Sequence, residues 1–206
     1  MCIGKRRCQQ KRNLKGRSQK ESRTITYEEE AKIVTLLRSH ESSRGKNYYR
    51  DVADLVEVMA DTGLRQMETL ELLYRDVNFT DNMILVRQSK SSPRRVPMTN
   101  RVATILQRRQ EANQDKPFNL NEMHIRMAWR WVKEVLELPE PQRLVLHSLR
   151  KTCARRLIDS GVYIEIIYEW LGHPIVHKLH RKAPLPLKKL TEAAKILEAY
   201  NHLDLQ

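Results

Sequence analysis

Between His147 and Lys182 the chain carries the residue types that phosphoryl chemistry requires. HSLRK sets His147 and Arg150 three residues apart, LGH closes on His173, and RKA places Lys182 nine residues beyond that histidine. Breaking a phosphodiester takes cations around the phosphate, a proton donor for the leaving oxygen and a nucleophile in line. Arginine suits the first task because its planar fork can bind two phosphate oxygens at once. Two candidates stand out: Arg65, just after the Gly63 break, and Arg150, expected in the first turn of a helix whose N-terminus also favours anions. Lys90, at the tip of an expected hairpin, is placed to reach DNA and donate a proton. Each residue also has a plainer reading: Arg and Lys as solvated surface groups of a basic protein, His147 as a helix cap, and His173 packed beside a helix end.

The bulk composition narrows the partner. Lys and Arg number 38 against 25 Asp and Glu, a formal net charge of +13 over 206 residues. Such a balance favours a polyanion, nucleic acid first and an anionic membrane surface second. No apolar run approaches the roughly 18 to 20 residues of a membrane span, so no membrane partner is expected. The charged N-terminus has no apolar stretch of the secretory type. Cys2, Cys8 and Cys153 are too few and too scattered for a disulfide framework, which fits a reducing cytosol. Cys2 and Cys8 lack the partner pairs of a zinc site, and His177 with His180 lacks a third ligand. Neither a metal nor a cofactor is expected.

The elements that must position these residues follow from periodicity and punctuation. Residues 1–23 hold Lys5, Arg6, Arg7, Lys11 and Arg12 among nine cations, with Glu21 as the single acid. With almost no apolar surface to bury, they read as a disordered arm, which either lies along DNA phosphates or is a solvated tail. Residues 24–206 read as one domain. Thr26-Tyr27-Glu28-Glu29 is a capping box ahead of an amphipathic helix. A second helix runs from about Tyr48 to a stop at Gly63, and a short one carrying Leu70, Leu72 and Leu73 follows Arg65. Met83 to Gln88 and Arg94 to Met98 read as paired strands around the turn Lys90-Ser91-Ser92-Pro93. Further helices are expected after Thr99 or Asn100, bearing Val102, Ile105 and Leu106; then with Ala128, Trp131, Val132 and Val135 on one face; from Ser148 to Gly161; from about Ile164 to Gly172; and from Leu187 to Tyr200. The fold class is mainly α with a small antiparallel sheet.

TGLRQME around Arg65, the hairpin Lys90, HSLR at 147–150 and LGH at 171–173 stand in an order and at separations that resemble the catalytic domain of the tyrosine recombinase, or phage integrase, family. RTITYEEE is similar to that family's entry into the domain, and the helix ending in AYN to its closing helix. The resemblance spans about Ser22 to Tyr200. It implies that Arg65 and Arg150 clamp the scissile phosphate, with His147 and His173 as the accompanying histidines, and that Lys90 protonates the leaving 5′ oxygen. Glu68 would orient Arg65, or form an ordinary helix salt bridge. Arg94 and Arg95, on the return strand, would join the arm in contacting duplex DNA.

The resemblance breaks at the nucleophile. The family's tyrosine belongs nine residues after the LGH histidine, where Lys182 stands, and no tyrosine occurs between Tyr168 and Tyr200. Tyr200, near the end of an amphipathic helix, reads as structural. A lysine amine is charged at neutral pH, and its attack would leave a phosphoramidate in place of the family's tyrosyl ester. The implied function is therefore DNA binding in recombination or integration, in the cytoplasm of a bacterial or phage-infected cell, without autonomous strand cleavage. The readings left open are a recombinase using a tyrosine from another subunit, a silent regulator or partner at recombination sites, and a decayed remnant of a mobile element. Residues 183–206 would serve oligomers, because family members exchange their C-terminal segments. The segment preceding Ser22 holds only the arm where most members carry a core-binding domain.

Overall fold

Helix α2, Tyr48–Thr62, is surrounded by the rest of the molecule: from Val52 to Thr62 every side chain is buried. A helix enclosed on all sides is the axis of a helical domain rather than a surface element. In this computed structural model, which describes residues 23–40, 48–87, 93–112, 115–137, 144–173 and 185–203, α2 packs against α1 (Tyr27–Ser39), α4 (Asn100–Ala112), α5 (Glu122–Val135) and α6 (His147–Asp159). The short α3 (Gln66–Leu70) follows α2. Helices α7 (Ile164–Leu171) and α8 (Leu187–Leu203) close the described part of the chain.

Local chemistry explains the boundaries. Thr26 caps α1 through the expected box: its hydroxyl accepts from the Glu29 amide at 3.2 Å, and the Glu29 carboxylate accepts from the Thr26 amide at 3.0 Å. Arg23, assigned to the arm by sequence, pairs with Glu29 at 2.7 Å and so belongs to the domain edge. Gly63 and Gly172 end α2 and α7 in the left-handed conformation, both at φ +63°, where a side chain would be strained. A Cβ on Gly63 would also meet Leu171 Cδ2 at 2.6 Å and Cys153 Sγ at 3.1 Å, so α2, α6 and α7 converge at this turn.

The sheet is antiparallel in the order β1 (Val77–Asn78), β2 (Met83–Val86), β3 (Arg94–Pro97). The β2–β3 hairpin is in register from Met83 opposite Pro97 to Val86 opposite Arg94. Two features depart from the sequence reading here. β1 is a third strand, too short to carry a periodic signal, and α3 ends at Leu70, leaving Leu72 and Leu73 in the connection. A third departure lies in α5, which buries Ile125, Ala128, Trp129 and Val132, while Trp131 is half-buried and Val135 exposed. Trp129 is fixed by its indole N–H donating to Leu144 O at 2.9 Å. Among the described residues no helix is long and apolar enough to cross a membrane, and no group of three or more His, Cys, Asp or Glu is placed to hold a metal ion.

Candidate phosphate-binding site

The Gly63 turn delivers Arg65 to the start of α3, one turn before Glu68. Glu68 folds back on that start: its carboxylate accepts from the Arg65 amide at 2.9 Å and from the Arg65 guanidinium at 2.7 Å. The Arg65 side chain remains 35% exposed, with its Nη1 held by Glu68.

Arg150 comes from the opposite direction, on the first turn of α6. A tight turn leads in, with Ser148 N–H donating to Val145 O at 2.7 Å and Ser148 Oγ accepting from the Val145 amide at 3.2 Å. His147 is therefore the first helical residue rather than the cap. Arg150 is 9% exposed. One nitrogen donates to Gly63 O at 2.6 Å and another to Leu171 O, so the guanidinium ties the C-terminal ends of α2 and α7 together. Those carbonyls carry the partial negative charge of helix ends but no full charge.

His173 follows Gly172 directly. Its backbone N–H returns to Tyr168 O at 2.9 Å, and its ring stacks on that of Tyr168 with centroids 5.1 Å apart. Spacing alone does not place this tyrosine beside the histidine.

Arg94 corrects a sequence expectation. It was expected to face DNA, yet its side chain is only 4% exposed. Its fork grips both Glu68 oxygens, at 3.0 and 2.7 Å, and its Nε donates to Trp170 O at 3.0 Å. Strand alternation accounts for this: Arg94 shares a face with Val96, which is fully buried, while Arg95 takes the outer face. Glu68 is accordingly more than a partner along its own helix, because it joins α3 to β3.

The electrostatics follow from the count. Among the described residues Arg65 and Arg94 both pair with the Glu68 carboxylate, and Arg150 is close enough to feel both arginines and that carboxylate. Burial pushes the Glu68 carboxyl up, but the hydrogen bonds from Arg94 and from the Arg65 amide outweigh it and hold the group at about 2. Arg150 is depressed to about 10, first by burial and then by repulsion from Arg65 and Arg94, with Glu68 only partly opposing. His147 is lowered as well, by burial and then by Arg150, Lys151 and Arg65. A buried guanidinium and a neighbouring histidine, both lowered by the cations beside them, mark a site short of an anion.

A cleft of about 580 Å³ opens beside His147, lined among others by Gln66, Met67 and Arg126, Arg130 and Lys133 of α5. The sequence reading passed over these three cations, although their spacing along one helix face was a usable signal. Of the remaining site candidates, Lys90, Lys182 and the arm residues Lys5, Arg6, Arg7, Lys11 and Arg12 lie outside the described residues, as do His177 and His180.

Known proteins share this fold and sequence pattern. The tyrosine recombinase XerA of Pyrococcus furiosus is 27% identical over 192 residues, covering 85% of this chain and 63% of its own length. XerC of Chlamydia caviae is 27% identical over 181 residues, covering 81% of this chain and 56% of the relative. The chain thus spans less than two thirds of these relatives. Among solved structures, the XerH site-specific recombinase bound to its difH substrate aligns over 85% of this chain and 54% of that one, with a TM-score of 0.60 at 19% identity. The Tn1549 transposon integrase in complex with a circular intermediate DNA aligns over 88% and 67%, with a TM-score of 0.59 at 20% identity. At such identities the likeness establishes the fold. The sequence pattern of the phage integrase family itself matches residues 23–181, a stretch that contains Arg65, Glu68, Arg94, His147, Arg150 and His173, and on that match the chain belongs to the phage integrase family.

Proposed function

We propose that this chain binds duplex DNA at recombination or integration sites, with Arg65 and Arg150 clamping one backbone phosphate and His147 and His173 beside it. The observation that carries this reading is the excess of guanidinium groups over carboxylate around Glu68, which a phosphate dianion or diester would relieve. Arg126, Arg130 and Lys133 along the adjoining cleft would take neighbouring phosphates, and Lys90 would protonate a leaving oxygen from the β2–β3 turn. The protein acts where the DNA is, in the cytoplasm of a bacterial or phage-infected cell.

Strand cleavage is absent in this proposal because Lys182 occupies the nucleophile's place in the chain. Removing one member of a cooperating catalytic set costs on the order of a million-fold in rate. The protein then acts as a silent occupant or partner at recombination sites, with residues 183–206 available for contact between copies.

A nicked suicide duplex tests both halves. The parent chain should bind it and form no covalent adduct, while Lys182→Tyr should trap the 3′ phosphate as a tyrosyl ester. An adduct on the parent chain would establish an active recombinase using another tyrosine. Failure of the parent chain to bind duplex above background at moderate salt would discard the DNA reading.

A further inference from the structure

We infer that Arg94 is the positioning residue of the phosphate site, locking Arg65 and the His173 turn to a common buried anchor without itself touching the phosphate; this rests on the reading of Arg65 and Arg150 as a phosphate clamp. Three observations converge on it. Its fork holds both oxygens of Glu68, the same carboxylate that grips the amide and guanidinium of Arg65. Its Nε donates to Trp170 O, in the last turn of α7, at 3.0 Å. Its stem occupies the space a side chain at residue 172 would need: a Cβ on Gly172 would come within 2.7 Å of Arg94 Cδ. The residue after that glycine is His173.

One buried guanidinium thus fixes the distance between the first arginine of the site and the turn that presents the histidine. The carboxylate between them matters because a bidentate pair constrains direction as well as separation. With Arg94 in place, Glu68 cannot rotate away from Arg65, and the Arg65 side chain stays partly exposed. Without Arg94, Glu68 would be a buried carboxylate free to draw the whole Arg65 guanidinium inward, out of reach of a phosphate. Charge alone does not accomplish this. A lysine at 94 would retain the positive charge, but a single ammonium cannot span both Glu68 oxygens and Trp170 O in the same geometry.

The test is the salt dependence of binding of the full chain to a fluorescein-labelled mixed-sequence duplex, since each phosphate contact adds about 0.9 to the slope of log K against log salt. Arg65→Met should flatten the slope by about that amount. Arg94→Met should flatten it equally, although Arg94 is buried, and the Arg65→Met/Arg94→Met double variant should show no further loss. Thermal unfolding run in parallel separates folding from positioning: a lower melting temperature with an unchanged slope would make Arg94 merely structural and overturn the inference. Additive flattening in the double variant would also overturn it, because Arg94 would then act independently of Arg65. If Arg65→Met leaves the slope unchanged, the phosphate clamp itself fails and the inference falls with it. Should Arg94→Met not fold, Arg94→Lys takes its place, with the same flattening expected and a parental slope as the overturning result.

Discussion

Two arginine clusters on the same helical frame behave in opposite ways. On the side where α1, α2, α4 and α6 meet, Arg38, Arg101, Arg108, Arg109 and Arg156 face Glu30, Asp51, Asp54, Glu57 and Asp61, five cations to five carboxylates. Around Glu68, Arg65 and Arg94 share one carboxylate, and Arg150, held on backbone carbonyls, lies within their electrostatic reach. Burial works against the charge of Arg101 in the first cluster, but Asp61 and Glu30 outweigh it and raise its pKa. In the second, burial and neighbouring cations both act against Arg150 and bring it down to about 10. A network with matched charges serves the fold. An unbalanced one is completed from outside, and that is where a polyanion belongs.

The largest effect should come from breaking the balanced side. Asp61 is 1% exposed. It accepts from Arg101 Nε at 3.0 Å, from Thr99 Oγ1 at 2.7 Å and from Asn201 Nδ2 at 3.3 Å, joining α2, the lead-in to α4, and α8. Asp61→Ala leaves Thr99 and Asn201 without this acceptor and Arg101 with Glu30 and the more distant Glu57, which at about 1 to 3 kcal/mol per unsatisfied group should lower the melting temperature by roughly 10 °C in a chain of this size. The folded fraction should bind DNA as the parent does. A loss of DNA affinity without a loss of stability would erase the distinction between the clusters.

That distinction was only half legible in the sequence. Thr26 with Glu29, Gly63 and Gly172 announced helix ends by local chemistry, and those boundaries were readable because the hydrogen bonds involved span no more than a few residues. Arg65, His147, Arg150 and His173 were set apart from ordinary surface residues only through the family resemblance; in the structure Arg65 pairs with Glu68 and Arg150 with the carbonyls of Gly63 and Leu171. Arg94 was misread as a DNA contact because neighbouring arginines on a basic chain look alike, and only the pairing of β3 with β2 decides which of Arg94 and Arg95 turns inward. In α5, the stripes through Trp131 and through Trp129 are both regular at helical spacing. Tertiary packing chose the one whose indole reaches Leu144 O. Trp170, fully buried and donating to Thr62 O at 2.8 Å, was overlooked because α7 is apolar on several faces and periodicity does not rank them.

A smaller effect, on the unbalanced side, concerns Glu68 in acid. Its folded-state pKa of about 2 lies below the ordinary value of 4.5, so the folded state binds its proton more weakly than the unfolded chain. The stabilisation is fully present above pH 4.5 and is lost as the pH falls towards 2. A depression of this size corresponds to roughly 3 kcal/mol at neutral pH, part of which offsets the mutual repulsion of the three arginines. Urea unfolding of the parent chain and of Glu68→Gln, followed from pH 6 to pH 2.5, should show the two stabilities converging as the pH drops. Parallel curves would mean that Glu68 is not the group holding those arginines together.

The smallest effect separates the clusters by what binding does to a proton. His147 sits below its ordinary 6.5 because of burial and then Arg150, Lys151 and Arg65, and a phosphate between those arginines would offset the same repulsion. Its pKa should therefore rise on DNA binding, so that binding takes up a proton and affinity increases as the pH falls through the bound-state pKa, levelling off below the free-state value. One pKa unit of difference corresponds to a tenfold change at most, so the expected gain between pH 8 and pH 5.5 is several-fold. His147→Gln should reduce it. Anisotropy titrations at constant ionic strength measure both, and they must be run beside Asp61→Ala, which should keep the pH dependence intact. If the dependence persisted in His147→Gln and vanished in Asp61→Ala, the proton would belong to the balanced network, and the anion deficit around Glu68 would not be what DNA relieves.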